Sequence, residues 1–301
     1  MSPSPSGTTR VGELDLAWDS FGDPTAPPLV LVMGLAVDRG YWRDPFCEAL
    51  AARGRWVIRF DNRDIGGSTR LDHLGVPGAA KLILQRRLGR HVPVPYHLED
   101  MADDVVGLLD GLGIERADLV GSSMGGMIVQ EAAIRHPARV RSLTSIMSTT
   151  GNPRLPWPKL QALFWLARRS PVELEARVTH FRKLRERIDG GFYRPSHEER
   201  EAQCRADIAR LGFDDRGAAR QFAAVTMQRD RTEDLGRLDV PALVVHGLSD
   251  PLVRPACGQA TAAAIPGART AWFDLMGHII ARELYEPIAD AILENARRAE
   301  P

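Results

Sequence analysis

The chain has 301 residues, of which 44% are hydrophobic and 26% are charged, the composition of an ordinary globular protein. Its 39 Lys and Arg residues balance its 39 Asp and Glu residues, so net charge gives no reason to expect a nucleic-acid or anionic-membrane partner. The three cysteines lie far apart, without C-x-x-C or Cys/His spacing. This pattern favours neither a disulfide framework nor a zinc site.

The N-terminal residues 1–10 are rich in Ser, Pro and Gly and lack an apolar stretch. They predict a frayed tail and not a signal peptide. The longest apolar run, residues 29–37, is too short to span a bilayer. We therefore expect a soluble, cytoplasmic protein.

Short β-type runs alternate with helix-period stretches, which is typical of a parallel sheet covered by helices. Residues 11–21 are half alternating and predict one antiparallel edge strand. Continuous apolar runs predict buried parallel strands at 29–33, 56–60, 117–120, 143–147, 242–245 and 271–273. Helices are predicted at 97–112, 124–136, 256–265 and 287–298.

The alternation breaks over residues 150–238, which are mostly helical in pattern and rich in arginine. A long insertion between two strands is where a lid over a site would lie. We therefore predict a core domain, residues 1–149 and 239–301, and a helical cap, residues 150–238. Within the cap, Trp157 and Phe164 are the aromatic side chains that we select as pocket-facing.

The sequence Gly-Ser-Ser-Met-Gly at 121–125 matches the G-x-S-x-G motif. In that motif the serine lies in a turn between strand and helix so tight that the residues two before and two after it must be glycine. Centring the motif on Ser123 places glycine at both positions, whereas centring it on Ser122 does not. A predicted strand precedes the motif and a predicted helix follows it. Ser123 is therefore the candidate nucleophile.

A serine hydroxyl needs a base within hydrogen-bond reach, and in this arrangement the partners follow in the order Ser, acid, His. His278 comes just after the last predicted strand and is the candidate base. His246 would place Asp250 after it and reverse the order. Asp250, in the loop after the strand at 242–245, is the candidate acid, which would hold the imidazole tautomer. Asp274 is the rival, since it is only four residues from His278.

The oxyanion formed during acyl transfer needs two backbone N–H donors. One is expected from Met124, the residue after the nucleophile, and the other from the loop after the first parallel strand, where Leu35 is the candidate. Met33 and Gly34, in the same loop, are predicted to line the substrate pocket.

With these residues identified, the chain resembles the α/β-hydrolase superfamily from about Val11 to Arg298, and especially the bacterial carboxylesterases and aclacinomycin-type methylesterases. The resemblance implies an eight-stranded, mostly parallel sheet, a helical cap over the site, and ester hydrolysis without a cofactor or metal. Two positions depart from the common pattern: Met33-Gly34 replaces His-Gly, and Asp64 occupies the turn after the strand at 56–60. The resemblance rests on the segments Met33-Gly34-Leu35, Asp61-Asn62-Arg63, 121–127, 246–250 and Gly277-His278.

The leading hypothesis is a serine hydrolase that cleaves a small or medium apolar carboxylic ester through an acyl-enzyme. The same triad would also serve thioester or C–C bond hydrolysis, and a non-catalytic small-molecule receptor on this fold is the alternative from another class. The expected partner is a small-molecule ester, with no nucleic acid and no membrane. A homodimer is left open.

Overall fold

The computed structural model of the protein describes residues 5–168, 170–191 and 195–300. Within them, eight strands form a single sheet in the order β1-β2-β4-β3-β5-β6-β7-β8. The first two strands are antiparallel to their neighbours, and all other neighbours are parallel. This confirms the predicted fold class. The strands are β1 (Ser6–Val11), β2 (Leu14–Phe21), β3 (Pro28–Val32), β4 (Trp56–Phe60), β5 (Ala117–Ser122), β6 (Val140–Ile146), β7 (Ala242–Gly247) and β8 (Arg269–Phe273).

The described helices lie on both faces of this sheet. The helices are α1 (Asp44–Ala51), α2 (Ala79–Arg87), α3 (Leu98–Gly111), α4 (Met124–Arg135), α5 (Leu160–Ala167), α6 (Leu174–Ile188), α7 (His197–Leu211), α8 (Arg216–Thr226), α9 (Thr232–Leu235), α10 (Pro255–Ala264) and α11 (Tyr285–Arg297). Apolar side chains of α3 and α4 bury one face of the sheet, and those of α1 and α11 bury the other. Buried parallel strands need this double cover.

The N-terminal region differs from its prediction. The single edge strand predicted at 11–21 is a hairpin of β1 and β2, which turns at Gly12 with φ +56°. Much of the predicted tail is therefore paired in the sheet, although residues 1–4 lie outside the described residues. The sequence did not predict β1 as a strand because most of its side chains are small or polar. The strand is held by its hydrogen bonds to β2 and by packing of Thr9 and Val11 against the glycines of α3.

Five of the helices, α5 to α9, lie between β6 and β7, where the insertion was predicted. Residues at the end of α6, on α7 and on α8 contact loops that follow the carboxyl ends of the strands. The division into a core domain and a cap at 150–238 stays a prediction. Among the described helices, none is both long and apolar enough to cross a membrane.

Candidate active site

Ser123 lies at the sharp turn between β5 and α4, with φ +56°, a backbone region that residues with a side chain rarely adopt. Its N–H donates to the carbonyl of Ile146 at 2.9 Å. A Cβ at Gly121 would lie 2.1 Å from the Gly125 carbonyl oxygen, and a Cβ at Gly125 would lie 2.0 Å from the Val32 carbonyl oxygen. Both flanking positions therefore require glycine, for the reason that the motif predicts.

Three predicted side chains meet at this turn. The Oγ of Ser123 lies 2.8 Å from Nε2 of His278, whose Nδ1 lies 2.7 Å from Oδ2 of Asp250. The other oxygen of Asp250 accepts hydrogen bonds from the N–H groups of Leu252 and Val253, at 2.8 and 2.9 Å. The carboxylate is buried, and these hydrogen bonds fix its direction. A histidine held this way presents Nε2 to the serine.

The rival acid lies elsewhere. Asp274 is exposed, and its backbone carbonyl accepts a hydrogen bond from the Ser249 hydroxyl at 2.8 Å. His278 is paired with Asp250, which comes from the loop after the neighbouring strand β7. Nearness in sequence therefore did not decide the pairing.

A second histidine lies close to the carboxylate of Asp250. His246, at the end of β7, has its Nε2 2.9 Å from the Val253 carbonyl and 3.7 Å from Oδ2 of Asp250. Burial lowers the pKa of His246 below its ordinary value, because desolvation disfavours the charged imidazolium. A neutral ring leaves the carboxylate of Asp250 directed at His278.

The loop after β3 and the first turn of α4 face the serine. A Cβ at Gly34 would lie 3.2 Å from the Cβ of Ser123. Within the described part of the chain, neither the Leu35 N–H nor the Met124 N–H donates a hydrogen bond, and Met124 is the first residue of its helix, where such groups have no intrahelical partner. Both N–H groups remain free to bind an anionic oxygen.

Two amide side chains, which the sequence analysis did not single out for this role, hold that loop in place. The Nδ2 of Asn62 donates to the Met33 carbonyl at 2.9 Å. Gln221, from α8, accepts from the Ala36 N–H at 3.0 Å and donates to the Arg63 carbonyl at 2.9 Å. Asn62 lies in the segment Asp61-Asn62-Arg63, which carries part of the family resemblance, whereas Gln221 lies in a helix whose position in space no sequence pattern revealed.

A cavity of about 550 Å³ opens over the serine. Ser123 and His278 line it together with the predicted pocket residues Met33 and Gly34 and with Leu35. Side chains from α6 and α7 complete its wall. The insertion therefore contributes directly to the space in which a substrate would lie.

Trp157 and Phe164, predicted as pocket-facing, do not line this cavity. The Trp157 ring lies against the guanidinium of Arg87, 4.9 Å from its carbon. Phe164 is 57% exposed and lies on a surface groove with Leu160 and Arg187. The prediction was wrong because aromatic character does not reveal which insertion helix faces the serine. Residues of α6 and α7 line the cavity, whereas the Leu160 and Phe164 side chains of α5 are exposed.

The end of α6 also holds the histidine loop. The N–H of Gly277 donates to the Asp189 carbonyl at 3.1 Å, and the N–H of His278 donates to the Ile188 carbonyl. A Cβ at Gly277 would lie 2.2 Å from that Ile188 oxygen. The backbone around the histidine is therefore built partly by the insertion.

Asp64, the second departure from the common pattern, adopts φ +75°. Its carboxylate accepts hydrogen bonds from the Leu71 N–H at 2.7 Å, from the Tyr96 hydroxyl at 2.8 Å, and from Arg220. The turn after β4 is therefore stabilised by a carboxylate.

Among the described residues, no group of three or more His, Cys, Asp or Glu side chains could hold a metal ion.

A mostly parallel eight-stranded sheet, with a serine on a strained strand-to-helix turn and a histidine after the last strand, is the architecture of an α/β hydrolase. A family profile for the alpha/beta hydrolase fold matches residues 27–281, and the chain belongs to that family.

Two relatives and one solved structure resemble the chain over most of its length. Rhodomycin D methylesterase DnrP of Streptomyces peucetius is 28% identical over 95% of this chain and 96% of its own. The 3-oxoadipate enol-lactonase 1 of Acinetobacter baylyi is 26% identical, covering 84% of this chain and 82% of its own. The enol-lactonase structure from Burkholderia xenovorans LB400 superposes with a TM-score of 0.72 at 25% identity, over 96% of this chain and 99% of its own.

Proposed function

We propose that the protein is a carboxylic-ester hydrolase that works through an acyl-enzyme on Ser123. The observation that carries the proposal is the continuous hydrogen-bonded path from Ser123 Oγ through His278 to Asp250, at 2.8 and 2.7 Å. The names of the two relatives, a methylesterase and an enol-lactonase, support ester cleavage as the reaction.

In the first half-reaction Ser123 Oγ attacks the ester carbonyl carbon, and Nε2 of His278 takes the hydroxyl proton. The Nδ1–H of His278 donates to Asp250, which stabilises the imidazolium that forms. The carbonyl oxygen becomes an oxyanion, which the N–H groups of Leu35 and Met124 stabilise. The imidazolium then protonates the leaving alcohol, and water repeats the sequence on the acyl-enzyme.

Replacing the nucleophile tests this proposal. Ser123→Ala is expected to abolish hydrolysis of p-nitrophenyl butyrate and labelling by a fluorophosphonate probe, because both need the serine oxygen. Thr232→Ala is the matched control and should be labelled normally. It removes a hydroxyl that contacts Thr150 and Asp230, neither of which belongs to the triad.

Circular dichroism should show that Ser123→Ala stays folded. A wild-type protein that binds esters but neither hydrolyses them nor reacts with the probe would contradict the proposal and favour the receptor hypothesis. Equal labelling of Ser123→Ala would show that another residue is the nucleophile.

A further inference from the structure

Arginine residues outnumber acidic residues in the wall of the cavity over Ser123. Four arginines face it, on the loop before α1, on α6, on α7 and on the segment after His278, but only one acidic residue, Glu199, lies among the described lining residues. The arginines are Arg43, Arg185, Arg200 and Arg282. The balance of charge around the cavity therefore depends on how each is compensated.

One carboxylate serves three of the surrounding guanidiniums. Asp207 accepts a bidentate pair from Arg43 at 2.9 and 2.8 Å, and also ion-pairs with Arg185 and Arg210. Arg210 has a second partner, Asp38, at 2.7 Å. Three guanidiniums thus share two carboxylates, an excess of one positive charge within this cluster. Arg185 and Asp207 are buried, so solvent ions screen this charge weakly.

The other two arginines differ from each other. Arg200 is buried and is neutralised by Asp189 at 2.8 Å. Arg282 is exposed at the cavity wall, four residues after His278, and within the described residues its guanidinium makes no hydrogen bond or ion pair. Glu199 is exposed and accepts a hydrogen bond from the Ser196 N–H at 2.8 Å as part of a helix cap.

With their ion-pair partners, the charged side chains of the cavity wall comprise five arginines and, counting Glu199, four carboxylates, an excess of one positive charge. Such an excess attracts an anion, because the walls of a cleft focus the field of its charges. The rest of the wall is apolar, including Phe181, Leu184 and Ile188 of α6. A ligand that matches this lining has an apolar body and one anionic end.

We propose that the cavity selects esters that carry an anionic group, of which a carboxylate is the test case, and that Arg282 contacts that group. This inference rests on the proposed function, since it names the substrate class of the same site. It adds an anionic end to the small or medium apolar ester that the sequence predicts, a prediction that stays untested. Arg guanidiniums bind carboxylates through charge-assisted hydrogen bonds, which a neutral ester cannot make.

A matched pair of esters tests it. Mono-p-nitrophenyl suberate and p-nitrophenyl octanoate have acyl chains of equal length and differ in one terminal carboxylate. We expect the wild type to prefer suberate in kcat/KM, with a preference that falls as added salt screens the exposed guanidinium of Arg282. Arg282→Gln should lower the suberate-to-octanoate ratio by about tenfold, mainly through KM for suberate, as one lost charge-assisted hydrogen bond predicts. Arg237→Gln, at an exposed arginine paired with Glu233, should leave the ratio unchanged.

Binding to Ser123→Ala separates this inference from the proposed function. Calorimetric titration with suberic acid monoamide and with octanamide should show tighter binding of the anionic amide, and Arg282→Gln in that background should remove the difference. Equal affinities, or a ratio unaffected by Arg282→Gln, would overturn the anion subsite. Selective binding with no turnover of either ester and no fluorophosphonate labelling would instead overturn the hydrolase, while the anion subsite would stand.

Discussion

At the scale of single residues, the acid of the proposed triad gives the sharpest test. Asp250 contacts the Nδ1 of His278, whereas Asp274 is exposed and accepts a hydrogen bond from Ser249 through its backbone carbonyl. Replacing such an acid by its amide removes the imidazolium stabilisation and can set the wrong tautomer, a loss of about 10⁴-fold in kcat in the serine-protease case.

Asp250→Asn is therefore expected to lower kcat by about 10³- to 10⁴-fold, and Asp274→Asn by less than about tenfold. The measurement is kcat on one soluble p-nitrophenyl ester near pH 8, with folding checked by circular dichroism. If Asp274→Asn were the crippled variant, the hydrogen bond to Asp250 would not be the one that catalysis uses.

The sequence could predict that Ser123, His278 and Asp250 lie together because their constraints are local. The strained turn demands glycine at two fixed positions, and the order of strands restricts the base and the acid to two loops. Trp157 and Phe164, which were predicted to face the pocket, carry no such constraint, since their directions depend on how α5 and the segment before it pack. Gln221 was missed for the same reason: it acts on a loop 185 residues away.

At the scale of elements, Asp207 of α7 connects two further segments, α6 through Arg185 and the start of α1 through Arg43. Burial alone would raise the pKa of Asp207, but the hydrogen bonds and charges of Arg43 and Arg185 outweigh it and lower the pKa from 3.8 to about 2. A carboxyl whose pKa is lower in the folded state stabilises the fold above its unfolded pKa. This contribution is complete above about pH 5 and is lost as pH falls through 4 towards 2.

We therefore expect the free energy of unfolding of the wild type to fall between pH 5 and pH 3 by roughly 1 kcal/mol more than that of Asp207→Asn, which cannot titrate at this position. Urea unfolding at the two pH values measures both differences. The variant should also be less stable at pH 5, because three guanidiniums lose a shared counter-charge. Parallel losses in the two proteins would show that Asp207 keeps its ordinary pKa.

Element prediction succeeded where hydrophobic pattern and burial agree. The strand at 56–60 has its predicted bounds, and the helices at 97–112 and 124–136 were placed to within a residue at each end, since buried periodic segments carry a strong signal. The hairpin β1–β2 was read as a single strand because its turn at Gly12 is two residues long and β1 lacks apolar alternation. Packing against α3 helps to hold β1 in place, and the sequence pattern carries no signal for that tertiary contact.

At the scale of the whole molecule, one buried ion pair connects the insertion to the sheet. Arg220 of α8 donates to both oxygens of Asp64 in the turn after β4, at 2.8 and 2.7 Å, and to Asp72 at 3.1 Å. Both side chains of the main pair are completely buried. Although burial opposes it, hydrogen bonds from Arg220, Leu71 and Tyr96 lower the pKa of Asp64. The same α8 carries Gln221, which holds the loop of Leu35.

Arg220→Met would leave the Asp64 carboxylate buried without its counter-charge, so we expect it to destabilise the fold by about 3–5 kcal/mol. Adding Asp64→Asn removes the unpaired charge and should restore part of the loss, whereas Arg237→Met, at an exposed helical pair, should change stability by less than about 0.5 kcal/mol. Urea unfolding of the four proteins gives these differences.

Because α8 also positions the loop after β3, Arg220→Met should lower kcat on a p-nitrophenyl ester even where the protein remains folded, while fluorophosphonate labelling persists. An unchanged stability, or a double variant less stable than Arg220→Met, would show that the insertion is held by other contacts.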